Sequence, residues 1–405
     1  MSLRSRRVGA PILALALGLL VVEGALRLAN VAYPAWDRPT PGLREWGIPH
    51  AEGWAVGETR TWVALNSQGA RDVEHAIEKP PDTLRIVVVG DSYAAAFEVE
   101  LEEAFWSVAE RALEACPALG DRRVEMINVS KRGYGTTEEL LALRRIGLPY
   151  DPDWVVLAFL TGNDFRNNTR ALKDSDRPYF EYDENGALVL DESYAEEADF
   201  RRWTGLPGDL WYGLLRHSRL LQTLRHVQRR VETAIELARL ESESEGEGGE
   251  SEGSELGLDD GIYREPEDPA WRSAWRITEG VIRRMRDEVR AEGAELLLMT
   301  LSNAIQVHPD PERRRRHAER VGAEDLFYPD RRLQAFAEAE GIASLVLAPE
   351  LQEWAEREAT CVHGFPGPWR CQGHWNAEGH RLAGERLARK LCAELGSAGG
   401  RRSSP

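Results

Sequence analysis

The 405-residue chain is poor in cysteine and methionine, with four of each, and no two cysteines stand in Cys-x-x-Cys spacing. A thioredoxin-like redox site is thereby excluded. Positive charge is outweighed: 51 Lys and Arg face 68 Asp and Glu, for a net charge of −17. That balance argues against a nucleic-acid partner, which needs a basic face. Nine of the acidic residues fall in 241–260 with no basic one, so the rest carries −8 and is only mildly acidic. What is present in quantity is apolar residue, 42% of the chain, with thirteen Trp. This suffices for a sizeable core.

The N-terminus pairs Arg4, Arg6 and Arg7 with an apolar run from Val8 to Val22, and a fairly apolar stretch follows from Gly24 to Tyr33. Fifteen residues fall short of the roughly 20 a spanning helix needs, and the second stretch makes up the length despite Glu23 and Arg27. No small-x-small cleavage site followed by a mature start is evident, so residues 1–33 read as an uncleaved signal-anchor. The basic flank keeps the N-terminus cytoplasmic and sends the body to the periplasmic side. Disulfides are permitted there.

Residues 34–82 form a Pro-, Gly- and Trp-rich lead-in without a sustained period, with Thr61–Leu65 as a short strand. From 83 onward β-branched runs alternate with helical spacing. Strands are expected at 84–89, 124–129, 154–160, 296–301 and 343–347, with helices at 102–115, 137–146, 271–292, 331–340 and 378–395. Each strand feeds a polar or Gly-rich loop, the pattern of a doubly wound parallel sheet in a three-layer α/β/α fold. An insertion at about 167–269 interrupts it. Asp183-Glu-Asn-Gly186 there reads as a hairpin turn. Leu214, Leu220, Leu221, Leu224, Val227, Val231 and Ile235 form a helical stripe, read as core or as a lid over the site. The acidic tract 241–260 is low-complexity and expected to be disordered. The main domain spans 83–397, and 398–405 is a tail.

Two anchors carry chemistry. Gly90-Asp91-Ser92 ends the first strand, where open α/β sheets place their sites. His374-Trp-Asn-Ala-Glu-Gly-His380 opens the last helix, placing a histidine to reach across strand ends. Between them lie Gly133 in Arg-Gly-Tyr-Gly and Asn163 in Gly-Asn-Asp, each after its own strand. Four such blocks in order resemble the SGNH (GDSL-like) hydrolases, over roughly 83–170 and 270–395. The resemblance implies a flavodoxin-like sheet, Ser92 as nucleophile and His374 as its base. It also implies an oxyanion hole from the Ser92 and Gly133 N–H groups and the Asn163 amide. The chemistry agrees: a serine needs a base to take its proton, and the tetrahedral oxyanion needs fixed donors. No Gly-x-Ser-x-Gly elbow surrounds a candidate serine, which disfavours an α/β-hydrolase. Asp91 and Asp164 are read as structural.

One departure from the family stands out. The Asp usually two or three residues before the histidine is absent: those positions hold Gln372 and Cys371, and no carboxylate lies between Glu358 and Glu378. A Ser92–His374 dyad is therefore the first expectation, with His374 oriented by the Gln372 oxygen, a backbone carbonyl or a carboxylate from elsewhere. Cys361 and Cys371, across a Pro/Gly-rich loop, read as a disulfide, and Cys116 and Cys392 are a further candidate pair; the sequence leaves the pairing of the four open. A zinc site of Cys361, His363, Cys371 and His374 is the alternative, disfavoured because its spacing matches no common finger and it would consume the base. No metal or cofactor is expected. The leading function is a membrane-anchored extracytoplasmic serine esterase acting through an acyl-Ser92 intermediate, on O-acyl groups of an envelope glycan or a lipid ester. The rivals are an acyltransferase onto a glycan and a catalytically impaired envelope-binding protein.

Overall fold

The computed structural model describes residues 3–246, 258–367 and 370–402. Helix α1 (Leu3–Leu28) comes first. Its segment Pro11–Leu28 is long and apolar enough to cross a membrane and is not buried against the rest of the protein. The lead-in folds into two hairpins, β1 (Asp37–Thr40) with β2 (Arg44–Gly47) and β3 (Glu52–Val56) with β4 (Arg60–Ala64). Sequence periodicity located only β4, because these strands are four or five residues long and lie half-buried on another surface.

The α/β alternation follows: β5 (Thr83–Gly90), α2 (Ser92–Ala95), α3 (Phe105–Leu113), β6 (Arg123–Asn128), α4 (Thr136–Ala142), β7 (Trp154–Leu160) and α5 (Asp164–Asn167). The helix expected from residue 102 begins at Phe105 because Leu101–Glu103 is a tight 3₁₀ turn. That expected through 146 is α-helical only to Ala142 and then widens into a π turn, Leu143–Gly147. The insertion holds the hairpin β8 (Tyr179–Tyr182) and β9 (Leu188–Asp191), then α6 (Ala198–Thr204), α7 (Leu206–His217) and α8 (Arg219–Gly246). The acidic tract starts as helix, since α8 continues through Gly246; residues 247–257 lie outside the described residues. The chain closes with α9 (Pro269–Ala291), β10 (Glu295–Leu301), α10 (Pro311–Val321), α11 (Tyr328–Ala339), β11 (Ala343–Val346), α12 (Ala348–Glu358) and α13 (Ala377–Arg402).

Strands pair in the order β11-β10-β7-β5-β6, all parallel. Counted within this sheet the order is 2-1-3-4-5, the flavodoxin-like winding, whose direction reverses between its first and third strands, β5 and β7. Alternate side chains of β5 face opposite layers. Ile86 and Val88 join Phe105 of α3 and Leu387 of α13 on one side, while Val87 and Val89 join Leu140 of α4 and Val281 of α9 on the other. A third cluster seats the lead-in, with Ile48, Ala55 and Val63 against Ala95, Phe97 and Leu215.

Buried polar bonds lock this lead-in to the sheet. Arg85 on β5 donates to the Ile77 and Tyr150 carbonyls, each at 2.8 Å, and pairs with Glu125 at 2.7 Å. Asp72 accepts from the Asn128 N–H at 2.7 Å. Arg71 donates to the carbonyls of Ala95 and Val99 in the loop after Ser92. Unpaired buried charge is costly, so each partner makes the lead-in an obligatory part of the fold.

The stripe read as core or as a lid over the site is mostly not core, although Leu221 packs against the third cluster. The helix breaks at Ser218, and Leu214, Leu224, Val227, Val231 and Ile235 are all more than half exposed. The reason is orientation: α8 turns Arg225, His226, Arg229 and Arg230 towards a cleft shared with the lead-in.

Cys116 is bonded to Cys392, joining the end of the α3 layer to α13 across 276 residues of sequence, and Cys361 is bonded to Cys371. Restricting so long a loop in the unfolded chain stabilises the fold. A Cys116→Ala/Cys392→Ala variant is expected to lose roughly 2–5 kcal/mol of stability, read as a lower urea midpoint. An unchanged midpoint would contradict it.

Candidate active site

Every residue of β5 is buried, and the strand stops at Gly90. A Cβ there would stand 2.8 Å from the Ala94 Cβ and 3.0 Å from the Ala158 carbonyl oxygen, so only glycine lets β5, β7 and α2 meet this closely. Asp91 caps α2, accepting the Tyr93 N–H at 2.9 Å. Ser92 is the first residue of α2 and, unlike buried Asp91, is partly exposed. Its Oγ lies 2.8 Å from His374 Nε2.

The orienting group is Glu58, not Gln372. Glu58 sits at the tip of the β3–β4 hairpin, and its Oε1 lies 2.6 Å from His374 Nδ1 while Oε2 accepts the His374 backbone N–H at 3.0 Å. The dyad expected from sequence is thus a Ser92–His374–Glu58 line. A carboxylate at Nδ1 keeps the proton on that nitrogen and leaves Nε2 free to accept the serine proton. Gly373 makes the contact possible. It has φ +75°, and a Cβ there would fall 2.4 Å from Glu58 Oε2. No local signal could replace the missing Asp, because its substitute lies 316 residues away. The one available hint was Glu52-Gly-Trp-Ala-Val-Gly-Glu-Thr-Arg-Thr-Trp-Val-Ala64, two alternating Trp-centred strands around a Gly-Glu-Thr tip.

The loop carrying His374 is held from behind. His363 Nδ1 lies 2.7 Å from the Gly373 carbonyl, which can only accept, so Nδ1 carries the proton. His363 Nε2 then accepts from the Ser302 hydroxyl at 2.9 Å, and Ser302 Oγ accepts from Trp375 Nε1 at 2.9 Å. Burial pushes the His363 pKa down to about 4, consistent with a neutral ring. Tyr93 donates to the same Gly373 carbonyl at 3.0 Å. The second histidine of the block, His380, is buried and accepts the Phe105 N–H at 3.3 Å, tying α13 to α3.

Electrostatics set His374 apart. Burial alone would lower its pKa, but the charges of Glu98, Glu58 and Asp91, with the Glu58 hydrogen bond, raise it to about 9. Burial works against ionised Glu58 too, yet its contacts with His374 hold it below its ordinary value. Burial drives Asp91 up, opposed by the Tyr93 N–H. Glu98, which sequence reasoning did not single out, bears on the imidazole through charge alone.

Gly133 and Asn163 follow β6 and β7, so the loops after three neighbouring strands converge at the reversal of the sheet. Gly133 has φ +78°, and its carbonyl is held by Arg177 at 2.9 Å, fixing the adjoining peptide. Asn163 Nδ2 donates to Asp91 Oδ2 at 3.5 Å, which leaves its second N–H available. Asp164 accepts the Leu160 N–H at 2.8 Å, so both acids beside the key residues bind backbone. The thiols of Cys361 and Cys371 are joined to each other, so the zinc arrangement has no thiolates to use. Among the described residues no group of three or more His, Cys, Asp or Glu is disposed to hold a metal ion. The arrangement can take a proton from Ser92, deliver Oγ to a carbonyl carbon and return the proton to a leaving group.

No protein-family model and no curated protein matches the chain. Solved structures do. An acetylxylan esterase from Geobacillus stearothermophilus, solved as a catalytic mutant, is 12% identical over 77% of this chain and 94% of its own, with TM-score 0.36. A lipase/acylhydrolase from Enterococcus faecalis is 12% identical over 77% and 96%, with TM-score 0.35. A GDSL-like lipase from Bacteroides thetaiotaomicron is 11% identical over 78% and 88%, with TM-score 0.33. The fold class follows from the strand order itself.

Replacing Glu58 with Gln is expected to lower kcat on the order of 10³- to 10⁴-fold, as loss of a triad carboxylate does elsewhere. For the unaltered protein, kcat/KM on a small acyl ester rises with pH as His374 loses its proton, with its inflection near 9. Removing the Glu58 charge removes an interaction that favours imidazolium, so the inflection moves down. A Gln variant with unchanged inflection and rate would show that Glu58 has no part in the reaction.

Proposed function

We propose that this chain is a membrane-anchored, extracytoplasmic serine esterase of the SGNH type. The observation that carries the reading is the hydrogen-bonded line from Glu58 through His374 to Ser92, at the crevice where the parallel sheet reverses. His374 Nε2 takes the Ser92 proton as Oγ attacks the ester carbonyl. The Ser92 and Gly133 N–H groups and the Asn163 amide are the donors for the resulting oxyanion. Collapse expels the alcohol, which leaves with the proton from His374, and Ser92 is acylated. Water, deprotonated by His374, then attacks the acyl-serine and releases the acid. A catalytically impaired binding protein is disfavoured, because Glu58 stands at His374 Nδ1 where the absent Asp would act.

The membrane reading has its own support. Glu23 near the end of α1 accepts the N–H groups of Arg219 and Leu220, each at 3.0 Å, and Arg27 donates to the His217 carbonyl. The anchor is therefore tied to the α7–α8 junction, beside the exposed apolar residues of both helices. Such a surface suits the neighbourhood of a bilayer. Two disulfides suit an oxidising compartment. The ester is an O-acyl group on an envelope glycan or lipid.

A fluorophosphonate probe is expected to label the full-length protein at Ser92, located by peptide mapping. Ser92→Ala loses both the label and turnover of small acyl esters. An unaltered protein that takes no label, or an Ala variant with full turnover, would falsify the reading.

A further inference from the structure

Between the lead-in hairpins and α8 runs a cleft of about 700 Å³, within the size range of ligand sites. Gly57 and Arg132 stand in its wall, one residue from Glu58 and from Gly133 respectively. The cleft thus borders the segments that carry Glu58 and Gly133. Its α8 wall is made by residues 225, 226, 229, 230, 233 and 234, a repeat that marks a single helix face. By the same spacing, exposed Leu224, Val227, Val231 and Ile235 lie on the opposite face and line no part of it.

Charge in this cleft is unbalanced. Arg132, Arg225, Arg229 and Arg230 line it; the Arg132 guanidinium lies over the Phe97 ring at 4.3 Å, and none of the four guanidinium groups has a hydrogen bond or ion pair to another described residue. Both carboxylates in the wall, Asp37 and Glu45, are already engaged by Lys131 at 3.0 and 3.4 Å. Burial, and then Arg230, push the His226 pKa down, so its ring, stacked on Tyr33 at 4.1 Å, adds no charge near neutral pH. Like charges held together repel one another. An anion entering the cleft relieves that repulsion. Guanidinium forks match carboxylates in geometry, and Trp36 and Trp54 add broad apolar rings between the charges.

We propose that this cleft binds a carboxylate-bearing, acidic glycan, so that the ester presented to Ser92 is an O-acyl group on such a glycan rather than on a lipid. The proposal rests on the esterase reading and narrows its substrate. A lipid is disfavoured because the apolar face of α8 points away from the cleft and arginines make up much of the face that lines it.

Binding is tested on full-length Ser92→Ala protein in detergent, by tryptophan fluorescence during titration with a galacturonate oligosaccharide. A neutral xylo-oligosaccharide of equal length and a short-chain phosphatidylglycerol are the comparisons. The acidic sugar is expected to bind at least about tenfold more tightly than the neutral one, as charge-assisted hydrogen bonds imply. Its affinity falls as salt is added. Arg225→Gln/Arg229→Gln is expected to reduce the acid-over-neutral preference about tenfold, both in binding and, with the serine restored, in kcat/KM on the acetylated sugars. Equal affinity for acidic and neutral sugars, or tighter binding of the lipid, overturns the proposal. Binding is read without the nucleophile, so such a failure leaves the esterase reading standing. Acid-selective binding in a protein whose Ser92 takes no fluorophosphonate would sink the esterase reading alone.

Discussion

The contact between Glu58 and His374 is the one on which the rest of this site depends. A serine hydroxyl is a weak nucleophile until a base is held at its proton, and an imidazole is such a base only in one tautomer and one orientation. Glu58 provides both through two hydrogen bonds to a single residue, at Nδ1 and at the backbone N–H. A hairpin tip can do this only if the hairpin is fixed. Arg71, Asp72 and Arg85 fix it by binding the lead-in to the sheet and to the loop after Ser92. Gly373 completes the arrangement from the other side, since any side chain there would occupy the carboxylate's place.

Burial tunes the groups around this contact in opposite directions. Desolvation suppresses charge on His363 and on His380, and pushes the Glu139 carboxyl well above the usual carboxylate range, with Asp91 and Glu138 adding to the effect. The same desolvation opposes charge on His374 but is outweighed there by Glu98, Glu58 and Asp91. The site therefore holds several neutral groups around one imidazole that favours its charged form. That is the state in which it donates a proton to a leaving alkoxide. The cost is that the base form is populated only towards alkaline pH.

The insertion shows how polarity and exposure can be inverted. Helical spacing along Leu214–Ile235 is a sound signal for an amphipathic helix, and the helix is there. Periodicity reports that two faces differ, not which one meets the protein. Here the arginine face looks inward onto a cleft and the apolar face outward, next to the end of α1. A helix tethered beside the apolar α1 has an apolar neighbour other than the core.

The sequence by itself determined the alternation of strands and helices, the strands on which Ser92, Gly133 and Asn163 end, and the histidine that opens the last helix. These are local or pattern-level properties: β-branched runs, turn residues at strand ends and blocks in a fixed order. Only the tertiary structure decided which group orients His374. Glu58 and His374 are separated by 316 positions, and the strands carrying Glu58 are short, half-buried and without a sustained period. Gln372 was close in sequence but is not at Nδ1. The group that is there was brought by the packing of an entire lead-in segment, and chain distance says nothing about such a contact.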